Sequence, residues 1–314
     1  MTDRMDRRSV LAGFAALGLS GCEVPPPDAP ATPDAPAPTA PEPAVAPLDL
    51  SLLERVHGGR LGLAIQDAAG ERVLAWRGDE RFLYCSTFKL FLAAATLQRV
   101  AAGAEQLDRA VPITAGDMIS HAPATRTAIG STLTVEQLCQ AMVELSDNPA
   151  ANLLIRAFGG LEAWKAWYPT IGDTVTRVDR LEPQLNLEDG DKDTTTPLQA
   201  VANIARLFTV PDAASPLSAD ARALLEGWMK DSPTGPDRIK AGVPNGFQVA
   251  HKTGTSGRGH ANDIGLIWPV AGPPMSIAVY FDAPEAPDAA ARDAIIAAAT
   301  AEALTALGHG ASDD

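Results

Sequence analysis

The stretch Tyr84-Cys85-Ser86-Thr87-Phe88-Lys89-Leu90-Phe91-Leu92 constrains this chain more than any other. It sets a serine and a lysine three residues apart at the head of an apolar, helix-favouring run, and that spacing predicts one shared helical face. A free serine is a poor nucleophile until a neighbour takes its proton, which a desolvated lysine can do. The first helical turn adds unpaired N–H groups and the positive end of the dipole, both favouring negative charge beside Ser86. Alone the pattern selects nothing, because S-x-x-K arises by chance about once in a chain of this size. Partners elsewhere have to raise it.

The 314 residues suffice for one large domain or two interleaved ones. A net charge of −14 argues against nucleic acid or an anionic membrane surface as partner. Three cysteines are too few for a disulfide scaffold. The five histidines show no H-x-x-x-H pair and no Cys/His cluster, so the expectation is no metal and no other cofactor.

The N-terminus reads as a targeting segment. Arg7-Arg8 precedes an apolar run, Val10 to Leu19, too short to span a bilayer as a helix. The paired arginines resemble a twin-arginine export signal, and Leu19-Ser20-Gly21-Cys22 resembles a lipobox, which would make Cys22 the lipidated residue. From Glu23 to Pro47 the chain is rich in proline and alanine and has no lysine or arginine. Such a segment buries no core and suits an extended spacer. Residues 1–21 are thus expected as export signal, 22–47 as lipobox cysteine and tether, and 48–310 as the folded domain.

Within that domain Leu48 to Val56 reads as a short helix ended by Gly58-Gly59. Leu61, Leu63 and Ile65 alternate as in a strand, Glu71 to Arg77 forms another, and Ala68-Ala69-Gly70 marks the hairpin between them. Thr134-x-x-Gln137 looks like a capping box, with Val135, Leu138, Met142 and Leu145 on one apolar face behind it. Strands are expected at 247–253, 263–268 and 275–281, then an Ala-rich helix over 288–307. The expected fold is α+β: an antiparallel sheet built from the two ends of the domain (48–83 and 232–310), flanked by terminal helices. An all-helical part (84–231) is inserted, and the active site lies between the two.

Three further patches carry chemistry. Ser146-Asp147-Asn148 offers a hydroxyl and an amide, although alone it would read as a helix end running into a turn at Pro149. Lys252-Thr253-Gly254-Thr255 ends an apolar strand with a cation and a glycine that lets a ligand approach the backbone. Alone it could be an edge strand defended by lysine. Arg180-Leu181-Glu182-Pro183-Gln184-Leu185-Asn186 sets a carboxylate and an amide four residues apart, able to face one water, or else forms a surface turn.

Taken together, S-x-x-K, S-D-N and K-T-G in this order are the signature of class A β-lactamases and penicillin-binding proteins. The chain resembles a class A serine β-lactamase over Leu48 to Leu307. The resemblance implies that Ser86 attacks the lactam carbonyl of a small β-lactam substrate, with an oxyanion hole from the backbone N–H groups of Ser86 and Thr255. It implies that Lys89 accepts a proton during acylation, a role disputed within the family against Glu182 acting through a water. Ser146 and Lys252 would serve the leaving nitrogen, and Asn148 the substrate's side-chain amide. Glu182 and Asn186 would activate the hydrolytic water. Thr253, Thr255 and Arg238 would bind the substrate carboxylate, and His121 falls where the family often has an aromatic gate. Exported, periplasmic or cell-surface location, a monomer, and membrane contact only through the lipid anchor also follow.

Departures from the family pattern are visible. Ala261 stands where many members carry an arginine on the strand after K-T-G, and Arg238 matches the alternative position. Cys85 and Cys139 match cysteines that pair elsewhere in the family, but Ser256 and Ala93 occupy the partner positions, so no intramolecular disulfide is expected. The loop between Asn186 and Asp193 looks short. A D,D-peptidase or a β-lactam-sensing lipoprotein shares the serine and lysine, and the Glu182/Asn186 pair weighs against both.

Overall fold

The computed structural model describes residues 45–67, 69–70, 73–283 and 288–310. The export signal, Cys22 and most of the tether lie outside the described residues. In chain order the elements are β1 (Val45–Pro47), α1 (Ser51–His57), β2 (Arg60–Gln66), β3 (Val73–Trp76) and β4 (Phe82–Leu83). A 3₁₀ turn, Cys85–Thr87, leads into α2 (Phe88–Ala101), β5 (Ala110–Pro112), β6 (Thr132–Thr134), α3 (Val135–Glu144) and α4 (Asn148–Phe158). Then come α5 (Leu161–Lys165), β7 (Thr194–Thr195), α6 (Pro197–Phe208), α7 (Ala219–Asp231) and α8 (Ile239–Gly242). The chain closes with β8 (Gln248–Thr255), β9 (His260–Trp268), β10 (Met275–Asp282) and α9 (Ala289–Ala306).

Six strands form one sheet in the order β1-β3-β2-β10-β9-β8. Every pairing is antiparallel except β1 with β3. The expected α+β plan is the observed one, with terminal segments making the sheet and helices between them, but the inserted part is not all-helical: β5 pairs with β6 inside it, and β7 pairs with β4. Two boundaries differ. The tether was expected to reach Pro47, but Val45–Pro47 pairs with Val73–Ala75 and adds an edge strand. The first helix begins at Ser51 and not at Leu48, since Leu48 and Leu50 are buried against the outer face of the sheet.

The β2 alternation has a reason that differs from a half-solvated strand. Leu61, Leu63 and Ile65 pack on one face with Phe281 and with Ile296 and Leu304 of α9. The intervening Gly62 and Ala64 face the helical layer, where a Cβ on Gly62 would sit 2.3 Å from the Phe82 ring. Both faces are covered, so the strand alternates large and small instead of apolar and polar. On the second layer α2 is the central helix, with every residue from Phe88 to Leu97 buried among α3, α4 and α7. Each fully buried Leu or Phe there is worth about 1.5–3 kcal/mol of transfer free energy. That apolar collar carries Lys89 inside with it.

The Thr134/Gln137 capping box starts α3 as expected. Pro149 does not make a turn, however. Asp147 caps a new helix, α4, and the proline occupies its first turn, where a missing N–H costs nothing.

Candidate active site

A cleft of about 300 Å³ opens between the helical part and the edge strand β8. Its helical wall carries Ser86, His121, Ser146 and Asn148; its strand wall carries Arg238, Thr253 and Thr255; Asn186 closes one end. Lys89, Glu182 and Lys252 lie beneath, with 0–2% of their surface exposed.

The nucleophile turn is set by strand, bend and helix in succession. Cys85 adopts φ +48° immediately before Ser86, a left-handed geometry that costs a non-glycine residue about 1–3 kcal/mol. Ser146 (φ +58°) and His121 (φ +56°) share it, so all three corners of the helical wall hold backbone strain. β8 presses on the turn from the other side. A Cβ on Gly254 would meet the Tyr84 carbonyl oxygen at 2.8 Å, so only glycine lets the strand come this close.

Lys89 Nζ donates to Ser86 Oγ (2.9 Å), the Ser146 carbonyl (2.9 Å) and Asn148 Oδ1 (2.5 Å), and lies 3.1 Å from Glu182 Oε1. The Ser86 hydroxyl is also 3.4 Å from Glu182 Oε1. Burial pushes the Lys89 ammonium below the usual lysine range, with the Glu182 carboxylate and then Asp147 pulling the other way. A lysine depressed by burial surrenders its proton more readily and so can act as a base.

Glu182 and Asn186 stand on a loop whose ends are drawn together by Asp193. That buried carboxylate accepts from Arg180 Nε (2.6 Å), Tyr84 Oη (3.1 Å) and the amides of Asp179 and Arg180 (both 2.9 Å). Asn186 Nδ2 donates to Glu182 Oε2 at 2.6 Å, so the i, i+4 pair does converge. Asn186 Oδ1 is buried with no protein partner. The Glu182 backbone is clamped by Asn152, which accepts from its N–H (3.1 Å) and donates to its carbonyl (2.9 Å).

On the strand wall Lys252 Nζ reaches Ser146 Oγ (3.2 Å) and the Thr253 carbonyl (2.9 Å), and among the described residues it pairs with no carboxylate. Burial, then the like charge of Lys89, hold it well below the ordinary lysine range; Asp263 opposes them and Arg238 adds to them. Arg238 is almost wholly buried. It donates to Asp293 Oδ1 (2.7 Å), to the carbonyls of Gly254 (3.0 Å) and Asn262 (2.8 Å), and to Thr255 Oγ1 (2.8 Å). Its guanidinium thereby stitches β8 to β9 and α9 while facing the cleft. His121 sits exposed at the rim, its Nε2 2.8 Å from the Leu145 carbonyl. Cys85 and Cys139 are buried and unpaired, and Ser256 hydrogen-bonds His260. Cys22 lies outside the described residues.

Every other catalytic or substrate-binding candidate from the sequence is therefore in or directly under one cleft. Sequence reasoning missed Asp147, whose buried carboxylate ties the Ser146 turn to the amides of Ala124 and Thr125 (both 2.9 Å). It also missed Asn152 and Thr234, the latter 2.8 Å from Thr253 Oγ1. Asn152 had a usable signal, since it stands four residues after Asn148 on the same helix face.

A serine held by a buried lysine, a carboxylate–amide pair beside it and a cationic strand opposite define a serine acyl-transfer hydrolase. Residues 49–307 match the family model described as the β-lactamase enzyme family. The chain is 41% identical over 238 residues to the β-lactamase L2 of Stenotrophomonas maltophilia, covering 75% of this chain and 77% of that protein. It is 40% identical over 275 residues to a β-lactamase of Amycolatopsis lactamdurans, covering 87% and 88%. The solved class A β-lactamase from Mycobacterium abscessus superposes with a TM-score of 0.77 at 41% identity, over 82% of this chain and 98% of that one. The chain belongs to the β-lactamase enzyme family, and within it to the class A serine enzymes. It is a hydrolase that opens β-lactams through a serine mechanism, an antibiotic-resistance activity.

Proposed function

We propose that Ser86 is the nucleophile, Lys89 its proton acceptor and Glu182 the base for the water that releases the acyl group. The observation that carries this reading is the convergence of Lys89 Nζ (2.9 Å) and Glu182 Oε1 (3.4 Å) on Ser86 Oγ, with Asn186 Nδ2 2.6 Å from Glu182 Oε2. In acylation Lys89 acts as the free amine that its burial favours: the Ser86 oxygen bonds to the lactam carbon and its proton passes to the Lys89 lone pair. The developing oxyanion meets the N–H groups of Ser86 and Thr255, each worth about 3–4 kcal/mol in such sites. Collapse breaks the C–N bond, Ser146 gives the nitrogen a proton, and Ser146 takes one back from Lys89 Nζ, which returns the lysine to the free amine. The Ser146 hydroxyl oxygen is within reach of both Lys89 Nζ (3.4 Å) and Lys252 Nζ (3.2 Å), which leaves its own proton free to donate. In deacylation Glu182 takes a proton from water, the hydroxide attacks the ester, and the Ser86 oxygen leaves and recovers a proton. The unpartnered Asn186 Oδ1 supplies the spare acceptor for that water.

Thr253, Thr255, Lys252 and Arg238 bind the substrate carboxylate. Asn148 binds its side-chain amide: its Nδ2 donates to the Ser120 carbonyl (2.9 Å) and keeps a second hydrogen. His121 borders the entrance. Residues 45–310, with Val45–Pro47 as the edge strand, act as one catalytic domain with a sheet part and a helical part. Residues 1–21 export it, and Cys22 with the proline-rich stretch after it tethers a monomer to a membrane, at the periplasmic or outer cell surface.

The test is Glu182→Ala. Mixed with a good penicillin, the folded variant should accumulate a covalent adduct on Ser86 by intact mass, while the unmodified protein turns over repeatedly with little adduct. Turnover by Glu182→Ala at the unmodified rate would remove Glu182 from deacylation. An unmodified protein that stalls as the acyl-enzyme with every β-lactam would be a sensor.

A further inference from the structure

Away from the cleft, three side chains from distant parts of the sequence meet at the outer side of the loop that carries Glu182. His260 Nε2, at the start of β9, lies 3.0 Å from Glu188 Oε1 and 3.5 Å from Asp282 Oδ1, at the end of β10. The three donor atoms all lie within 4.8 Å of one another. Tetrahedral zinc with N and O bonds near 2.0–2.1 Å puts its ligand atoms about 3.3 Å apart, and both histidine–carboxylate separations bracket that value.

The surroundings suit a ligand as well. Ser256 Oγ, 2.6 Å from His260 Nδ1, fixes the buried ring with Nε2 toward the carboxylates, the outer hydrogen bond that a metal-bound histidine usually has. Among the described residues the Asp282 Oδ1 atom is buried without a hydrogen bond, its nearest cationic neighbour being His260 Nε2 at 3.5 Å. The second Asp282 oxygen accepts a long hydrogen bond from Arg60 Nη2 (3.5 Å), whose guanidinium also donates to Glu80 (3.1 Å) and to the Arg81 carbonyl (2.9 Å). A buried carboxylate oxygen left like this costs free energy that a cation would recover. A cavity of about 360 Å³ beside Glu188 and Gly190 gives an ion a route in.

We infer that Glu188, His260 and Asp282 form a divalent-cation site of the N/O class that takes Zn²⁺, and that the bound ion fastens the Glu188 side of the loop to β9 and β10. Because these ligands are not part of the proposed hydrolytic machinery, the test uses no β-lactam, and failure of either reading leaves the other standing. The full chain is titrated with Zn²⁺ and, as a spectroscopic stand-in, Co²⁺. One equivalent of Co²⁺ should bind with a visible band of N/O ligation and without the thiolate charge-transfer band that Cys22 would produce. Glu188→Gln, at an exposed position, should weaken Zn²⁺ at least tenfold, and His260→Gln should abolish the event. Zn²⁺ should slow backbone hydrogen exchange over residues 187–192 in the unmodified protein and not in Glu188→Gln. Binding and exchange that are the same in Glu188→Gln, or no binding by the unmodified protein, would reduce the cluster to an ion pair.

Discussion

The two walls of the cleft handle positive charge in opposite ways. On the helical wall Lys89 is surrounded by oxygens and lies 3.1 Å from the Glu182 carboxylate, so its charge is matched where it is buried. On the strand wall Lys252 is equally buried but, among the described residues, has only a hydroxyl and a carbonyl within hydrogen-bond reach. Arg238 beside it is neutralised by Asp293 at 2.7 Å, on the side remote from the cleft hydroxyls. A buried lysine that can shed its proton next to a serine suits proton transfer; an unmatched cation suits holding an anion that arrives with substrate. Ser146, bonded to both lysines, is the joint between these two economies.

The largest expected effect separates the lysines by step. Lys89→Met should slow acylation by about 10²–10⁴-fold, the usual contribution of a general base, in single-turnover mixing with a penicillin. Lys252→Met should act mainly through KM. Equal losses of kcat in both variants would erase the distinction between the walls.

Arg238 comes next. Arg238→Ala should lower kcat/KM by about tenfold to a hundredfold, or roughly 1.4–2.7 kcal/mol, with lysine rescuing only part of it. It should also lose stability, because Asp293 and two strand carbonyls are left without their donor. Asp293→Asn separates the roles: melting should fall while KM stays near its starting value. A KM that rises as much in Asp293→Asn as in Arg238→Ala would mean the arginine acts only by holding the strands.

A smaller effect appears in stability. With no carboxylate partner, Lys252 should be the costlier charge, and Lys252→Met should stabilise the fold by about 0.5–2 kcal/mol at neutral pH, more than Lys89→Met does. The sign follows from linkage. Each lysine's folded pKa lies below its unfolded value, so the unfolded chain binds more protons between the two. Stability therefore rises with pH across that interval, and denaturant midpoints measured from neutral to alkaline pH should rise less in Lys252→Met. For the same reason kcat/KM on anionic substrates should fall on the alkaline side well before the ordinary lysine value of about 10.4. A limb that begins only there would place a solvated lysine at 252.

The smallest effect is expected at the cysteines. Burial pushes the Cys139 thiol up to about 12 and the Cys85 thiol higher still. With Cys22→Ser, the denatured protein should titrate two thiols without reductant, and the native protein should react slowly at both. An intact mass showing an internal bridge would overturn this.

Most of the site could be read from residue order, because its chemistry depends on short spacings within single elements. Ser86 and Lys89 join a 3₁₀ turn to the start of α2, Glu182 stands four residues before Asn186 on one short loop, and Lys252 to Thr255 follow one strand. Local spacing of this kind survives any tertiary arrangement, and the alternation in β2 and the Thr134 capping box are legible for the same reason. What the spacing left open is everything made by contact between distant segments. Pro149 looked like a turn because nothing local reveals that Asp147 is held by Ala124 and Thr125 and can cap a helix there. The end of the tether looked like spacer because its composition is that of one; its three last residues became a strand only through β3, far along the chain. The cluster at 188, 260 and 282 has no sequence signature at all. The chain by itself determined which groups could do the chemistry and their local order; burial and the closure of long loops decided which charges are matched, which carboxylate oxygen is left without a partner, and so how each wall works.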